Sequence, residues 1–560
     1  MNLNHRLFRL LTAIALASVL CGCHLIGKTI QTGGEQRLAK VAPPPPPKEA
    51  VHVIVFALDG GVPASLMAAM DSGHAPNLAK LLGRPRGHGL FDHAYSAPHA
   101  LSVLPSSTIA DWSAIFTGST PADDGVPGDE WFERDTQRFL APVPVSMTDI
   151  ADNTKTISDD LIGKELKVPT LYERLHKRTY VSMQQVHRGA TYFTTVSPGA
   201  FGDMILALVK GALYYGDDPE KSLSASIDRN SADMAIQTIE AHGVPDLQVM
   251  YFPGIDIYTH EANPPLEKQT HYLEHVTDPT VGRILEEYRK KNVLQDTYVI
   301  FISDHSHIPT LDKESNELGT GKQDSPFAAV HYAGFRVRKP MLFLPDLDRD
   351  YQAVLAYQGF MAYIYLANRS TCPYEHQRCN WAKPPRYKHD VKPVLRALYR
   401  SNRWGHPVPG LKGKIDLIFS RRPARPGKPP GPYKIFDGTD LISIHDYLMD
   451  HPRPELVNLE QRMNWLSAGP YGNRAGDILL LSRACMKLPL NKRFYFAAMT
   501  HYSWHGSACE QDSHIPFILA RAGGSGTEMR SIMRKFGGSA PSERELTPLV
   551  EWLFAHPDEP

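Results

Sequence analysis

The stretch of sequence that decides the fold is Val51-His52-Val53-Ile54-Val55-Phe56-Ala57-Leu58-Asp59. It is a short apolar run, rich in β-branched and aromatic residues, which is typical of a strand buried on both faces. The run ends in an aspartate, and Gly60-Gly61 follows, which allows the chain to turn sharply. We therefore predict a central strand that carries Asp59 at its carboxyl end.

Three more apolar runs repeat this design. With the residues that they lead to, they are 247–252 with Asp256, 298–303 with Asp304-His305, and 494–499 with His505. A helical pattern from Pro279 to Lys291 lies among them. Strands that alternate with helices predict an α/β fold, with a mostly parallel central sheet flanked by helices. Such sheets bind ligands beyond the carboxyl ends of their strands, where each run delivers an Asp or a His.

The N-terminus has the pattern of a targeting segment. Basic Arg6 and Arg9 precede an apolar stretch, 10–20, that is too short to span a bilayer. The stretch ends in Leu20-Cys21-Gly22-Cys23, which resembles a bacterial lipobox. We predict a lipoprotein signal peptide at 1–22, lipidation of Cys23 and export to the cell envelope. His24 favours the outer membrane by analogy with Gram-negative lipoproteins; the alternative is a plain secretory signal.

The rest of the chain is predicted to fall into three parts. Residues 23–50 contain an unbroken proline run, Pro43 to Pro47, and are interpreted as a tether. The catalytic core is assigned to 51–305 and 476–560. Residues 306–475, rich in Pro, Arg and Tyr, are interpreted as an insertion or cap. Since 60 basic residues balance 60 acidic ones, charge gives no argument for nucleic-acid binding.

Four cysteines remain beyond the N-terminal pair, and an even number in an exported protein indicates disulfides. None of them has the Cys-x-x-Cys spacing of a thiolate zinc site. Three pairings are possible, and we predict Cys372–Cys379 and Cys485–Cys509.

Thr108 is a candidate nucleophile. Ile109 to Phe116 has helical spacing, so Thr108 is expected at or just before the helix N-terminus. Free backbone N–H groups and the helix dipole favour an alkoxide and a bound phosphate at that position. The alternative is that Thr108 only caps the helix.

The remaining candidates are carboxylates and imidazoles, which suit zinc and similar divalent ions. They occur as three short motifs: Asp256-x-x-x-His260, Asp304-His305 and His505-Gly506. An Asp and a His four residues apart after a strand can reach one metal ion. Each motif alone is a modest signal, because a single Asp at a strand end is often only a helix cap.

Their order, however, resembles the alkaline phosphatase superfamily, and especially its nucleotide pyrophosphatase/phosphodiesterase branch. Thr108 stands nine residues before Thr117-Gly118, and Gly125 to Trp131 is similar to the stretch that follows in the family. The segment from His505 to Phe517 resembles the closing motif of the family. The resemblance covers about 51–310 and 475–545.

The resemblance implies two divalent cations, with zinc expected and manganese or iron able to use similar ligands. The implied ligands are Asp256, His260 and His505 for one ion, and Asp59, Asp304, His305 and the Thr108 oxygen for the other. The implied activity is hydrolysis of phosphoric esters, as a phosphodiesterase or pyrophosphatase, through a phospho-threonine intermediate.

Asp111 departs from the family pattern, in which asparagine is expected three residues after the nucleophile. A carboxylate there would repel phosphate, so phosphomonoesterase and phospho-group transferase activities remain alternatives. Arg188 is a possible phosphate clamp. The non-enzymatic alternative is a surface lipoprotein that binds glycan or a partner, although all six expected ligands are present.

Overall fold

The computed structural model describes residues 34–40, 42–46, 50–149, 151–197, 218–319, 322–339, 349–423 and 431–557. The predicted signal peptide and Cys23 lie outside these residues. Within them, no helix combines the length and the apolar character needed to cross a bilayer.

The first sheet has ten strands and forms the centre of the molecule. In spatial order they are Glu35–Arg37, Tyr192–Thr194, Thr179–Ser182, Leu247–Phe252, His52–Leu58, Thr297–Ser303, Phe517–Arg521, Ala94–Ser96, Leu90–Phe91 and Pro85–Gly87. The strands from Tyr192–Thr194 to Thr297–Ser303 run parallel, and both edges are antiparallel. The predicted α/β class is confirmed, with a mixed sheet whose parallel strands lie at its centre.

Helices cover both faces of this sheet. Along His52–Leu58, alternate side chains enter two different apolar clusters, and each of them is at most 3% exposed. This explains why the run is apolar at successive positions rather than at every second one.

The α-helices of the described residues are Pro63–Asp71, Pro76–Leu82, Thr108–Thr117, Pro121–Asp124, Ala151–Ser158, Leu161–Glu165, Leu171–Leu175, Leu223–His242, Gly254–Glu261, Pro265–Tyr272, Asp278–Lys290, Pro326–Tyr332, Lys392–Trp404, Ile444–Asp450, Leu459–Ser467, Glu510–Ser513, Gly526–Met533 and Leu546–Ala555. Short 3-10 helices are Pro219–Lys221, Leu294–Asp296, Arg369–Thr371, Pro409–Leu411, Gly472–Ala475, Leu490–Lys492, Arg534–Phe536 and Glu543–Glu545, and π-helical turns are Leu273–Thr277 and Tyr387–Val391. The helices predicted near Thr108 and Pro279 are both present.

The second sheet has six antiparallel strands. In spatial order they are Ala353–Gln358, Met361–Leu366, Ile478–Ser482, Ile415–Ser420, Lys434–Phe436 and Leu441–Ser443. Its inner strand Ile478–Ser482 lies in the stretch assigned to the catalytic core, whereas the other five strands lie in the predicted insertion, 306–475. An apolar run predicts a buried strand, but it does not specify the sheet in which the strand pairs.

Two other features differ from what the sequence predicts. The run 494–499 is not a strand of the first sheet, because its described pairings are single bridges from Tyr495 and Phe496. Phe517–Arg521 instead pairs antiparallel with Thr297–Ser303. At the N-terminus, Glu35–Arg37 pairs with Tyr192–Thr194, so part of the predicted tether is an edge strand.

Two small ribbons and two disulfides complete the fold. The ribbons pair Trp131–Glu133 with Arg138–Leu140, and Ile308–Pro309 with Ser503–Trp504. The second ribbon holds His505 close to the end of Thr297–Ser303. The disulfides are Cys372–Cys379 and Cys485–Cys509, as predicted.

Candidate metal centre

The predicted ligands meet at the carboxyl edge of the first sheet. Asp59 follows His52–Leu58, and Asp304-His305 follows the neighbouring strand Thr297–Ser303. On the other side of His52–Leu58, the strand Leu247–Phe252 leads to helix Gly254–Glu261, which carries Asp256 and His260 on adjacent turns. Parallel neighbours therefore bring the carboxylates together, as the sequence predicted.

Thr108 is the first residue of helix Thr108–Thr117, and Ser107 is the N-cap. The Thr108 hydroxyl does not cap the helix: its Oγ1 lies 3.3 Å from Nε2 of His305. The side chain is 5% exposed and joins the cluster of predicted ligands. The alternative that Thr108 serves only as a cap is therefore not supported.

One group of possible metal ligands consists of Asp59, Asp304 and His305. The His305 Nε2 lies 3.5 Å from Asp59 Oδ1 and 3.4 Å from Asp304 Oδ2. The other carboxylate oxygens are held elsewhere: Asp304 Oδ1 accepts from the backbone N–H groups of Gly60 and His305, and Asp59 Oδ2 accepts from the Tyr251 hydroxyl. Each aspartate thus has one oxygen fixed and one turned toward His305.

Asp256 is the centre of two further groups, Asp256–His260–His307 and Asp256–His305–His505. Its Oδ1 lies 3.0 Å from Nε2 of His307, 3.3 Å from that of His260 and 3.8 Å from that of His505. The expected ligands His260 and His505 therefore both face Asp256, although in different groups. His307 was not among the predicted residues.

Backbone carbonyls orient two of the imidazoles. His260 Nδ1 lies 2.7 Å from the Ser503 carbonyl, and His505 Nδ1 lies 3.1 Å from the Ser106 carbonyl. Because a carbonyl oxygen only accepts, we assign the ring proton to Nδ1 in both histidines. The Nε2 lone pairs then face the cluster, which is the tautomer that binds metals.

Burial sets the protonation of the cluster. It raises the pKa of Asp304 to about 7 and, with repulsion from Asp304, raises the pKa of Asp59. Burial also lowers the pKa of His305 to about 3 and keeps the pKa of His505 below its ordinary value. The imidazoles of His305 and His505 are therefore neutral, whereas attraction to Asp256 outweighs burial and raises the pKa of His260.

The chemistry of this donor set fits divalent cations. Asp59 Oδ1, Asp256 Oδ1 and Asp304 Oδ2 are buried without a hydrogen-bond partner. Buried acceptors without donors are costly unless a cation satisfies them. Carboxylate oxygens and imidazole nitrogens together are ligands of zinc and related ions.

The comparison with known families agrees with this geometry. Residues 53–324 match the family model described as type I phosphodiesterase/nucleotide pyrophosphatase. This family is the one that the order of the sequence motifs resembles. The phosphodiesterase region, 53–324, includes Thr108 and His307, whereas His505 and most of the second sheet lie beyond it.

The curated relative that matches is distant in sequence. Over 265 residues the chain is 26% identical to an uncharacterised pyrophosphatase/phosphodiesterase of Schizosaccharomyces pombe, and the alignment covers 46% of this chain and 45% of that protein. The match thus spans less than half the length of this curated relative.

Among solved structures, murine ectonucleotide pyrophosphatase/phosphodiesterase 5 has 11% identity and a TM-score of 0.49, with 90% of this chain and 95% of that chain covered. Phosphonoacetate hydrolase from Sinorhizobium meliloti has 16% identity and a TM-score of 0.45, with 92% and 98% covered.

Asp111 and Arg188, the two predicted substrate contacts, both have partners within the protein. The Asp111 Oδ1 accepts from the backbone N–H of Val103, and the carboxyl lies beside Glu543, where burial raises its pKa. The Arg188 guanidinium donates to Glu173 and to the carbonyls of Gly163, Leu166 and Val168. Both side chains are therefore held by backbone groups. The sequence alone does not predict which backbone groups lie next to them.

Asp129, in contrast, was not singled out by sequence and lies at the nucleophile. Its Oδ1 accepts from the backbone N–H of Ile109 at 2.9 Å, while Oδ2 is buried without a hydrogen-bond partner. Burial raises the pKa of Asp129 to about 7, and Asp256 adds to the effect. The available signal was its position in the stretch Gly125 to Trp131.

Proposed function

We propose that this chain is a metal-dependent hydrolase of phosphoric esters, with phosphodiesterase or nucleotide pyrophosphatase activity, and that Thr108 is its nucleophile. The observation that carries the proposal is the position of Thr108. Its hydroxyl stands at a helix N-terminus, 3.3 Å from Nε2 of His305, within a cluster of buried carboxylates and imidazoles. The family of the phosphodiesterase region supports the same chemistry.

Two divalent cations, zinc in the first place and manganese or iron as alternatives, would be held by the cluster. Asp59, Asp304, His305 and Thr108 would serve one ion, and Asp256, His260 and His505 the other. When bound, such ions lower the pKa of coordinated hydroxyls and neutralise developing negative charge on phosphate.

The protein would position the Thr108 hydroxyl for attack and would stabilise the negative charge of the phosphoryl group. Thr108 Oγ1 would attack phosphorus, so that a phospho-threonine forms and the alcohol of the ester leaves with a proton. Water would then cleave the bond between phosphorus and Thr108 Oγ1, which releases the phosphate product and restores the hydroxyl. The helix N-terminus at Thr108 presents backbone N–H groups that favour the anionic phosphoryl group.

The structure bears on the choice of ester through Asp111. The objection to a diesterase was that a carboxylate at this position would face the phosphate. Asp111 is fully buried beside Val103 and Glu543, and burial raises its pKa, so a neutral Asp111 is compatible with a bound phosphodiester. We therefore retain diesters and pyrophosphates as the proposed substrates.

Substitution of the nucleophile tests the proposal. Thr108→Ala is expected to abolish turnover of chromogenic phosphodiesters, and Thr108→Ser to retain part of it, since only the serine keeps a hydroxyl. Thr117→Ala is the matched control, because Thr117 lies at the other end of the same helix and donates to the Ser113 carbonyl. Wild-type rates in Thr108→Ala would remove this residue from the mechanism.

A panel of phosphate mono-, di- and sulfate esters, with metal analysis of the same preparation, tests the reaction class. About two metal ions per chain and preferential cleavage of diesters are expected. An active preparation without metal would contradict the scheme.

We also propose that the protein is an exported lipoprotein anchored through Cys23. The N-terminal sequence supports this, and the two disulfides agree with an oxidising compartment. Cys23→Ser should release the protein from bacterial membranes and abolish labelling with a radioactive fatty acid. Persistent labelling would refute the anchor.

A further inference from the structure

We propose that His307 is a further ligand of the cation held by Asp256 and His260. The inference rests on the proposed metal centre and deepens it. His307 is 1% exposed, and its Nε2 lies 3.0 Å from Asp256 Oδ1, closer than Nε2 of either His260 or His505.

The hydrogen bonds around Ser503 decide which nitrogen of His307 carries the proton. Ser503 Oγ lies 2.9 Å from the Thr259 carbonyl and 3.1 Å from His307 Nδ1. The hydroxyl has one proton, and the carbonyl can only accept it. Ser503 Oγ therefore accepts from His307 Nδ1, which leaves Nε2 as a bare lone pair.

Two hydrogen-bond acceptors then face each other inside the protein. Neither His307 Nε2 nor Asp256 Oδ1 has a hydrogen-bond partner, although both atoms are buried. A lone pair opposite a carboxylate oxygen at 3.0 Å is repulsive when both atoms are buried. A cation bound by both atoms converts this repulsion into attraction.

Gly60 keeps the space between the two acceptors open. A Cβ atom at this position would lie 2.4 Å from His307 Nε2 and 2.9 Å from Asp256 Oδ1. The backbone φ of Gly60 is +63°, which also favours glycine. The turn after Asp59 therefore leaves a gap beside His307 Nε2 and Asp256 Oδ1, the two atoms that would bind the cation.

The same serine orients two imidazoles toward Asp256. Its carbonyl holds Nδ1 of His260, and its hydroxyl holds Nδ1 of His307. Hydrogen bonds of this kind fix the tautomer and the ring direction of metal-bound histidines. Ser503 thus orients His307 through Nδ1, as it orients His260, which is a ligand in the proposed centre.

An additional imidazole changes the expected metal preference. Nitrogen-rich sets select zinc over manganese and magnesium, which prefer oxygen ligands. We therefore expect His307 to raise zinc affinity more than manganese affinity.

The test compares the purified full chain with His307→Gln and His307→Ala variants. The glutamine fills most of the buried space, so it protects against loss of folding. Metal content is measured by mass spectrometry, and zinc and manganese affinities by competition with a chelator. In cobalt-substituted protein, the visible absorption reports the ligand set independently of activity.

His501→Gln is the matched control. The His501 ring lies 5.2 Å from that of His260, compared with 5.0 Å for His307, but His501 Nδ1 lies 2.8 Å from Glu261 instead of facing Asp256. Loss of a residue that only supports a ligand typically costs about 10- to 100-fold in metal affinity.

The proposal is supported if both His307 variants lose more than about 100-fold in zinc affinity and show a changed cobalt spectrum. The zinc affinity and the cobalt spectrum of His501→Gln should stay as in the wild type. Smaller or absent losses in the His307 variants overturn the proposal, because His307 would then only position Asp256 or pair with it as a cation. Wild-type protein that binds no metal at all would instead contradict the proposed function.

Discussion

Arg462 Nη2 donates to Ser106 Oγ at 2.7 Å, and the carbonyl of the same serine lies 3.1 Å from His505 Nδ1. Arg462 belongs to helix Leu459–Ser467, outside the phosphodiesterase region, and is fully buried. The later part of the chain therefore supports the loop that leads into Thr108.

Substitution of Arg462 is expected to lower both stability and turnover. Its guanidinium also donates to Ser513 Oγ and the Val103 carbonyl, and Asp512 and Glu543 lie nearby. Arg462→Met would leave these groups without a cation, which we expect to cost about 3–5 kcal/mol in the free energy of unfolding. Arg462→Lys keeps the charge but not the planar fork, so a smaller loss and a lower kcat are expected.

Urea unfolding and steady-state kinetics of the metal-loaded protein measure these effects. Arg453→Lys is the control. Arg453 is also a paired arginine, but its partners are Asp416 and Glu455, not residues of the loop that leads into Thr108. Unchanged kcat in folded Arg462→Lys would show that this support does not reach the nucleophile.

Asp129→Asn is expected to lower KM for an anionic ester above pH 7. Since burial raises the pKa of Asp129 to about 7, its carboxyl is neutral below that pH and negative above it. The negative form repels phosphate, whereas asparagine stays neutral and its Oδ1 can still accept from the Ile109 N–H. Wild type and variant should therefore agree near pH 5.5 and diverge toward pH 8.5.

KM measured across this pH range, at saturating metal, checks the prediction. Asp129→Ala separates charge from structure, because it also removes the helix-terminal hydrogen bond and should cost about 1 kcal/mol of stability. Equal KM values for wild type and Asp129→Asn at pH 8.5 would contradict repulsion by Asp129.

Metal removal is expected to make stability more sensitive to rising pH. Without cations, burial raises the pKa of Asp304 to about 7, and burial with repulsion from Asp304 and Asp256 raises the pKa of Asp59. A carboxyl with a raised folded-state pKa contributes stability below its unfolded pKa and loses it as pH rises through the folded value. The contribution of Asp304 to the stability of the chelated protein should therefore fall between about pH 4 and 7, whereas that of the buried, neutral His305 rises, and comparison with Asp304→Asn isolates the first of these contributions.

Thermal unfolding with and without a chelator measures this difference. Bound metal should add roughly 2.7 kcal/mol when its free concentration is 100 times Kd, and the gain should grow with pH. Asp304→Asn should flatten the pH dependence of the chelated protein. Identical pH profiles of chelated and metal-loaded protein would argue against a cation at these carboxylates.

The two disulfides are expected to contribute unequally. Cys485–Cys509 closes a separation of 24 residues, and Cys372–Cys379 closes one of 7. Loop entropy predicts losses of about 3 and about 2 kcal/mol, respectively, when both cysteines of a pair are replaced by serine. Urea unfolding of the two double variants checks the order, and a larger loss for Cys372–Cys379 would contradict the entropic account.

The sequence alone determined the central elements and their terminal residues. Three of the four apolar runs are strands of the first sheet, so Asp59 and Asp304-His305 could be placed at the edge of its parallel part. Helical spacing after Thr108 located the helix, and the order of motifs indicated the family. These features depend on local patterns of a few residues, which a single sequence displays directly.

Only the tertiary structure decided which side chains complete the centre. Asp111 stands three residues after Thr108 and Asp129 stands 21 residues after it, yet it is Asp129 that accepts from the backbone N–H of Ile109, while Asp111 lies against Glu543. His307 stands two residues after His305, a spacing that puts side chains on one side of an extended segment. Its direction toward Asp256 depends on Ser503, almost 200 residues away in sequence. Hydrogen bonds and close approaches between distant segments form only in the folded chain, so local sequence patterns do not predict them.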